Sequence, residues 1–401
     1  MSDLADKEFS TRAVHAGERS RQSNFTPVAS PIDPSVGFLY ESMEDTDAVL
    51  GAEKEGYVYA RYGSPTVSAF ETAVANLEQS EAAFAFSSGM AALHISLLAA
   101  GVKAGSRVVS ALDVYGATSS LLRSLFSSLG VHVTMVDAAK FEDVERTLKE
   151  YPTTVVLAET ISNPLVRIAD VPTLADLAHR YGAQLIIDNT FATPYLFNPG
   201  IYGADYTVHS ATKYLNGHGD VTAGVVATSM ENRSNLYELN KLVGSLLGPF
   251  EAWLALRGLK TLPLRVRQQC DNAQQAAEWL GNHPRIRQVH YSGLSSHTQH
   301  ALAKRLFNGK GYGGVLSFEI RGATKSDIFR FMEALKVCLP ATTLGDIYSL
   351  VLYPAISSHR SLTPEERSRI GISDELVRLS CGIESPNDII ADIDQALNAI
   401  D

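Results

Sequence analysis

Between residues 61 and 260 the chain alternates short apolar runs with amphipathic stretches of helical period. Ala82–Phe86, Arg107–Ala111 and the segments 131–136, 154–158 and 185–188 are short and apolar, and they predict strands. Pro65–Glu78 predicts a helix opened by a Ser64-Pro65 start signal, and helices are also predicted over 88–100 and 173–181. Strands that alternate with helices and read as near-continuous apolar runs predict an α/β fold, with a mostly parallel sheet covered on both faces.

The pattern changes on either side. Residues 1–60 lack strong periodicity and carry Pro27, Pro31 and Pro34, so they predict an extended N-terminal arm with little core of its own. An arm of this kind is expected to lie on something else, often a partner subunit. Residues 259–280 predict one long helix that links two domains. A turn at Pro284, strands near 314–320 and a final helix over 386–399 complete a smaller C-terminal α+β domain. The expected division is therefore an arm over 1–60, a large domain over 61–260 and a small domain over 261–401.

Composition narrows the class. With 401 residues, 45% hydrophobic and 19% charged, the chain can bury a large core. A net charge of −10 and the lack of any lysine–arginine run exclude a general nucleic-acid-binding role. Cys270, Cys338 and Cys381 are far apart, which argues against a zinc site or disulfide framework and for a reducing compartment. The opening Met1-Ser-Asp-Leu-Ala-Asp-Lys-Glu is acidic and polar and predicts no secretory signal, and no apolar run has the length of a membrane span. A cytoplasmic protein is expected.

The chemistry is concentrated in Tyr206-Thr-Val-His-Ser-Ala-Thr-Lys213, a β-prone run that ends on a lysine just before a Gly217-His-Gly219 loop. A lysine there is placed to hold a carbonyl cofactor as a Schiff base. Upstream, Gln184-Leu-Ile-Ile-Asp188 predicts a buried strand ending in a carboxylate. An acid to hold a ring nitrogen protonated and a lysine to carry an aldehyde are what pyridoxal phosphate needs. Ser87-Ser88-Gly89-Met90 falls at a strand-to-helix junction, where free N–H groups and the helix dipole attract a phosphate. If the run before Lys213 is extended, Ser210 and Thr212 point the same way and can add hydroxyls. Taken singly, each feature has a plainer reading: a common turn, a strand-end cap, a solvated lysine.

The motifs together resemble the Cys/Met-metabolism (trans-sulfuration) family of pyridoxal-phosphate enzymes, which includes cystathionine γ-synthases, cystathionine γ-lyases and methionine γ-lyases. The matching segments are Tyr59-Ala-Arg61, Ser88-Gly-Met90, Val114-Tyr-Gly116, Asp188-Asn-Thr-Phe, His209-Ser-Ala-Thr-Lys213, Arg257-Gly-Leu-Lys-Thr-Leu and Val377-Arg-Leu-Ser-Cys-Gly-Ile-Glu384. The resemblance implies the type I aminotransferase-like fold, with Lys213 as the Schiff-base lysine and Asp188 as partner of the pyridine nitrogen. It gives Ser88, Gly89, Met90, Ser210 and Thr212 to the phosphate, and Asn163 to the ring hydroxyl. It makes Tyr115 both a stacking and an acid–base group. Arg378 would hold the substrate α-carboxylate, with Thr343 beside the substrate. Tyr59 and Arg61 would reach the phosphate of a neighbouring subunit, so a homodimer pairing into a homotetramer is implied. The implied reaction is γ-elimination or γ-replacement on a sulfur amino acid or activated homoserine.

Some positions depart from the family pattern. Ala117 follows Tyr115 by two where cysteine or glycine is common, and Thr342 stands where the cystathionine enzymes carry a glutamate. Both are expected at the distal end of the substrate. The arm reads Thr26-Pro-Val-Ala-Ser-Pro-Ile, and Tyr62-Gly-Ser64-Pro-Thr replaces the usual Asn-Pro-Thr. β-Elimination within the family, an aminotransferase on the same fold and a non-catalytic cofactor-binding protein are the competing readings.

Overall fold

The computed structural model describes residues 4, 6–18, 25–360 and 362–400. Seven strands form the larger sheet: β1 (Ala82–Phe86), β2 (Arg107–Ala111), β3 (His132–Val136), β4 (Val155–Glu159), β5 (Gln184–Asp188), β6 (Tyr206–Ser210) and β7 (Gly224–Thr228). Their order is β1-β7-β6-β5-β4-β2-β3. Only β7 runs against its neighbours, so the other six point the same way.

The alternation of side chains in each strand divides the core in two. Ala83, Ala85, Val109, Val156, Leu185 and Ile187 face one side, where they pack with helix Pro65–Glu78 through Phe70, Val74 and Leu77. Phe84, Phe86, Val108, Val155, Leu157, Ile186 and Val208 face the other, against Leu93, Ile95 and Leu97 of helix Gly89–Ala99. A sheet buried on both faces requires the continuous apolar runs seen in the sequence.

The smaller sheet holds β8 (Ile286–His290), β9 (Val315–Ile320), β10 (Leu339–Pro340), β11 (Leu350–Leu352) and β12 (Leu376–Ser380), in the order β10-β11-β12-β9-β8. Phe318, Val377 and Leu379 pack there with Ile389 and Ile393 of helix Pro386–Leu397.

Two expectations are corrected. The helix predicted over 259–280 is present but starts later, as Leu262–Gly281, and a separate helix, Pro249–Leu259, precedes it. Pro263, in the first turn of Leu262–Gly281, has no N–H to give to the preceding turn, and it disfavours helical backbone before it. The chain therefore breaks at Lys260 and Thr261. The N-terminal arm also contains helices. Phe9–His15 buries Arg12 and Ala13, and Ala13 and Ala16 join the core beside Ala69 and Ala73. From residue 25 onward the arm does stay on the outside. Phe25, Val28 and Leu39 are exposed, and helix Met43–Leu50 buries no residue. Among the described residues no helix is long and apolar enough to cross a membrane.

Candidate active site

The six co-directional strands of the large sheet bring their carboxyl ends to one edge, which is where open α/β sheets place their ligands. A cavity of about 460 Å³ opens there. Asp188 ends β5, Ser210 ends β6, and Ser88 and Gly89 follow β1; all four line the cavity.

Ser88 caps helix Gly89–Ala99, its Oγ accepting from Ala91 N–H at 3.1 Å. A side chain at Gly89 would place its Cβ 2.7 Å from Cβ of Ser210, so only glycine lets these two segments approach. Met90 lines the wall beside them. The strand ends at Ser210, three residues before the lysine, and a turn carries Thr212 and Lys213 into the cavity. This corrects the picture of an extended run reaching Lys213. Thr212 Oγ1 accepts from Ala223 N–H at 3.0 Å, which fixes that turn.

Lys213 Nζ donates to Thr343 Oγ1 at 2.7 Å. Burial, and next the charge of Arg378, lower the pKa of its amine, while Asp346 opposes the change. Asp188 Oδ1 accepts from both N–H and Oγ1–H of Thr190, at 2.9 and 2.5 Å. Thr190 Oγ1 in turn accepts from Ser210 N–H at 2.9 Å, so hydroxyl and backbone hold the carboxylate in place. Burial raises the carboxyl's pKa, and the Thr190 bonds and the charge of His209 pull it back. Among the described residues Asp188 forms no ion pair, so a cation brought to it would find an anion in need of one.

At the opposite wall Arg378, on β12, is only 2% exposed. Its guanidinium donates to Asn163 Oδ1 at 3.1 Å and to the Thr343 carbonyl at 2.9 Å, while Nε is buried and unpartnered. Burial lowers its pKa to about 10. Among the described residues it has no ion pair, so its charge is buried with neutral acceptors only. Tyr115 stands at the mouth, 40% exposed. A Cβ on the next residue, Gly116, would come 2.2 Å from the Ser358 carbonyl, so the small sheet's loop closes tightly over this corner.

Not every expected residue lies here. Tyr59 and Arg61 do not line the cavity; the Arg61 guanidinium donates to the Lys241 carbonyl and lies 5.3 and 5.0 Å from the ring centres of Tyr59 and Tyr62. Thr342 is on the cavity wall, but Ala117 is not among the lining residues and Thr118 takes its place. Sequence reasoning passed over Glu159, Thr190, Phe191, Ser357 and Ser358, which also line it. Glu159 had a signal: it ends β4 as Asp188 ends β5, and the two are paired in register.

These groups fit pyridoxal phosphate. A helix N-terminus with adjoining hydroxyls and a close glycine suits a phosphate, Asp188 suits a protonated ring nitrogen, and Lys213 suits an aldehyde. Fold and site thus define a pyridoxal-phosphate enzyme. Comparison with known proteins gives the family. The model of the Cys/Met metabolism PLP-dependent enzymes matches residues 10–398. An L-methionine γ-lyase of Fusobacterium nucleatum subsp. polymorphum is 40% identical over 393 residues, 97% of this chain and 98% of its own length. A cystathionine γ-lyase of Bacillus subtilis is 42% identical over 346 residues, 86% of this chain and 89% of its own. The crystal structure of a cystathionine γ-synthase from Xanthomonas oryzae pv. oryzae, in complex with aminoacrylate and cysteine, superposes with a TM-score of 0.91 at 36% identity, covering 98% of both chains. The chain belongs to the Cys/Met metabolism family of PLP-dependent enzymes and has its type I fold.

Proposed function

We propose that this enzyme, whose chemistry is γ-elimination or γ-replacement on an amino-acid substrate, prefers substrates with an uncharged γ-substituent, such as methionine, homocysteine or an acylated homoserine. The observation that carries the preference is the cavity lining. Its only described acids are Glu159 and Asp188, both at strand ends deep in the site, while Thr342 occupies the position of the family's glutamate. A distal ammonium such as that of cystathionine would leave water without a partner, at a cost of several kcal/mol by order of magnitude. Asp346 does not supply one: it is buried outside the lining, where it faces Lys213 and Arg265.

The residues divide the work as follows. Ser88, Gly89, Met90, Ser210 and Thr212 would hold the phosphate, Asp188 the ring nitrogen, Lys213 the aldehyde carbon and Asn163 the side of the ring hydroxyl. Bound pyridoxal phosphate supplies an electron sink for the carbanion left when a proton departs the substrate α-carbon. Arg378 grips the α-carboxylate. The Lys213 amine, with its pKa lowered by burial, is more often neutral and able to take the α-proton. Tyr115 delivers a proton to the departing γ-group.

Product analysis tests this reading. Purified protein with methionine should yield methanethiol, ammonia and 2-oxobutanoate, and an added thiol should divert part of the flux to a new thioether. Formation of pyridoxamine phosphate with a 2-oxo acid acceptor would instead make it an aminotransferase. For the preference, Thr342→Glu should raise kcat/KM for cystathionine relative to methionine by roughly tenfold, about 1.4 kcal/mol. A wild type that already favours cystathionine strongly, with no change in the variant, would remove position 342 from specificity.

The proposal extends to assembly. Of the arm over 1–60, the part from residue 25 onward is proposed to lie on a second copy, since Ala13 and Ala16 pack on the chain's own core; the large domain over 61–260 and the small domain over 261–401 are proposed to follow. Tyr59 and Arg61 would then complete the neighbour's phosphate site in a homodimer that pairs into a tetramer. The exposed Phe25, Val28 and Leu39, and the absence of Arg61 from its own cavity, support this. Arg61→Ala should weaken cofactor binding by about 1.5–3 kcal/mol, read by equilibrium dialysis. Sedimentation showing an active monomer would refute the shared site. The three free, buried cysteines accord with a cytoplasmic setting.

A further inference from the structure

We infer that Glu159 is a positioning residue: a neutral carboxylic acid whose acceptor oxygen fixes the backbone of Tyr115 at the mouth of the cavity. The inference rests on the reading of Tyr115 as the acid–base group. Glu159 ends β4, is 8% exposed, and its Oε1 accepts the Tyr115 N–H at 2.5 Å across 44 residues of chain. The Asn163 N–H also faces it. The Ser358 carbonyl lies so near the next residue, Gly116, that an added Cβ there would come 2.2 Å from it. The backbone at Tyr115 and Gly116 is therefore held by Glu159 and leaves no room beside Ser358, while the Tyr115 ring is 40% exposed.

The neutral state follows from the neighbours. Glu159 pairs in register with Asp188 on β5, and adjacent strands lie about 4.8 Å apart. Both side chains line one cavity, and Asp113, in the loop after β2, adds a third negative charge. Carboxylates so placed do not readily ionise together. The assignment of the proton follows the partners. Asp188 has the hydroxyl and N–H of Thr190 and faces His209, and it is the carboxylate a protonated ring nitrogen would pair with. Glu159 has only two backbone N–H groups and no cation; those bonds pull toward the ionised form, but burial and the charges of Asp188 and Asp113 outweigh them. Burial first, then the charge of Asp188, hold its carboxyl well above the usual range. The cations of the cavity, Lys213 and Arg378, are engaged with Thr343 and with Asn163 and Thr343.

The test compares Glu159→Ala, Glu159→Gln and Tyr115→Phe in the cofactor-loaded enzyme. Glu159→Ala should lower kcat by about 10- to 100-fold with little change in KM or in bound cofactor, because the tyrosine is misplaced rather than the substrate. Glu159→Gln keeps the acceptor and the neutral charge and should return kcat to within about threefold of wild type. In a Tyr115→Phe background, Glu159→Ala should cost less than about threefold more, the signature of two residues acting as one unit. A folded, cofactor-loaded Gln variant as damaged as Ala would overturn the neutral assignment, and it decides the matter even if the Ala variant does not fold. A fully active Ala variant, or one whose loss is undiminished without the tyrosine hydroxyl, would overturn the positioning role. A fully active Tyr115→Phe enzyme would instead sink the acid–base reading of Tyr115.

Discussion

Replacing Lys213 with alanine is expected to lower turnover by about 10³-fold or more while leaving a protein that still takes up pyridoxal phosphate. The wild type should be yellow as purified, and borohydride should fix the cofactor to the peptide that contains Lys213. The variant should bind the cofactor without that covalent link. Two proposed jobs would be lost at once, the carrying of the aldehyde and the movement of the α-proton, and among the described residues no second lysine lines the cavity. The groups proposed to bind the phosphate, at Ser88, Gly89, Ser210 and Thr212, remain, as does Asp188, so uptake should survive. The fold should survive as well, because Lys213 has a single side-chain bond, to Thr343, and its amine is already disfavoured as a cation by burial. An active Lys213→Ala enzyme would show that the catalytic amine lies elsewhere.

The site was legible in the sequence to the extent that its residues sit where strands end. Asp188, Ser88 and Gly89 are read from runs whose apolar period stops abruptly, and a parallel sheet delivers such endings to one edge. The same rule would have found Glu159, but the strand it ends was read one residue short, at Ala158 instead of Glu159. β7 was not read at all. Gly224-Val-Val-Ala-Thr follows directly on the Lys213 turn and is the one strand to run backward in a sheet otherwise inferred from helix–strand alternation.

What the sequence could not convey is which loops of the small sheet come down on the large one. Thr343 links the two walls, taking a bond from Lys213 at its hydroxyl and one from Arg378 at its carbonyl. Ser357 and Ser358 close the mouth from a loop without apolar periodicity. The contacts of Thr343 with Lys213 and Arg378 are set by tertiary packing across 130 and 35 residues of chain, and no local period encodes them. The position of Tyr59 and Arg61 outside the cavity is a further case, since in the proposed dimer they would serve the neighbouring copy.

The other large effect is expected at Arg378. Removing its side chain, as Arg378→Met, should reduce kcat/KM by about 30- to 5,000-fold, the 2–5 kcal/mol typical of truncating one partner of a buried, hydrogen-bonded charge pair. Here the proposed second partner is the substrate's own α-carboxylate. The loss should therefore appear mainly in KM, with cofactor content unchanged. Arg378→Lys should fall between, since an ammonium keeps the charge but not the planar fork that meets a carboxylate with two bonds. The free protein should respond in the opposite sense. A guanidinium that is 2% exposed, with Nε unpartnered and its pKa brought down to about 10 by burial, is a cost to the fold that methionine would relieve. Thermal unfolding of Arg378→Met in the absence of substrate should thus show no loss of Tm. A substrate analogue that lacks the α-carboxylate separates binding from general damage. Wild type should discriminate strongly against it, and Arg378→Met should scarcely discriminate at all. If the variant still prefers the carboxylate-bearing substrate by the full wild-type margin, Arg378 does not bind that group, and its burial on β12 must have another cause.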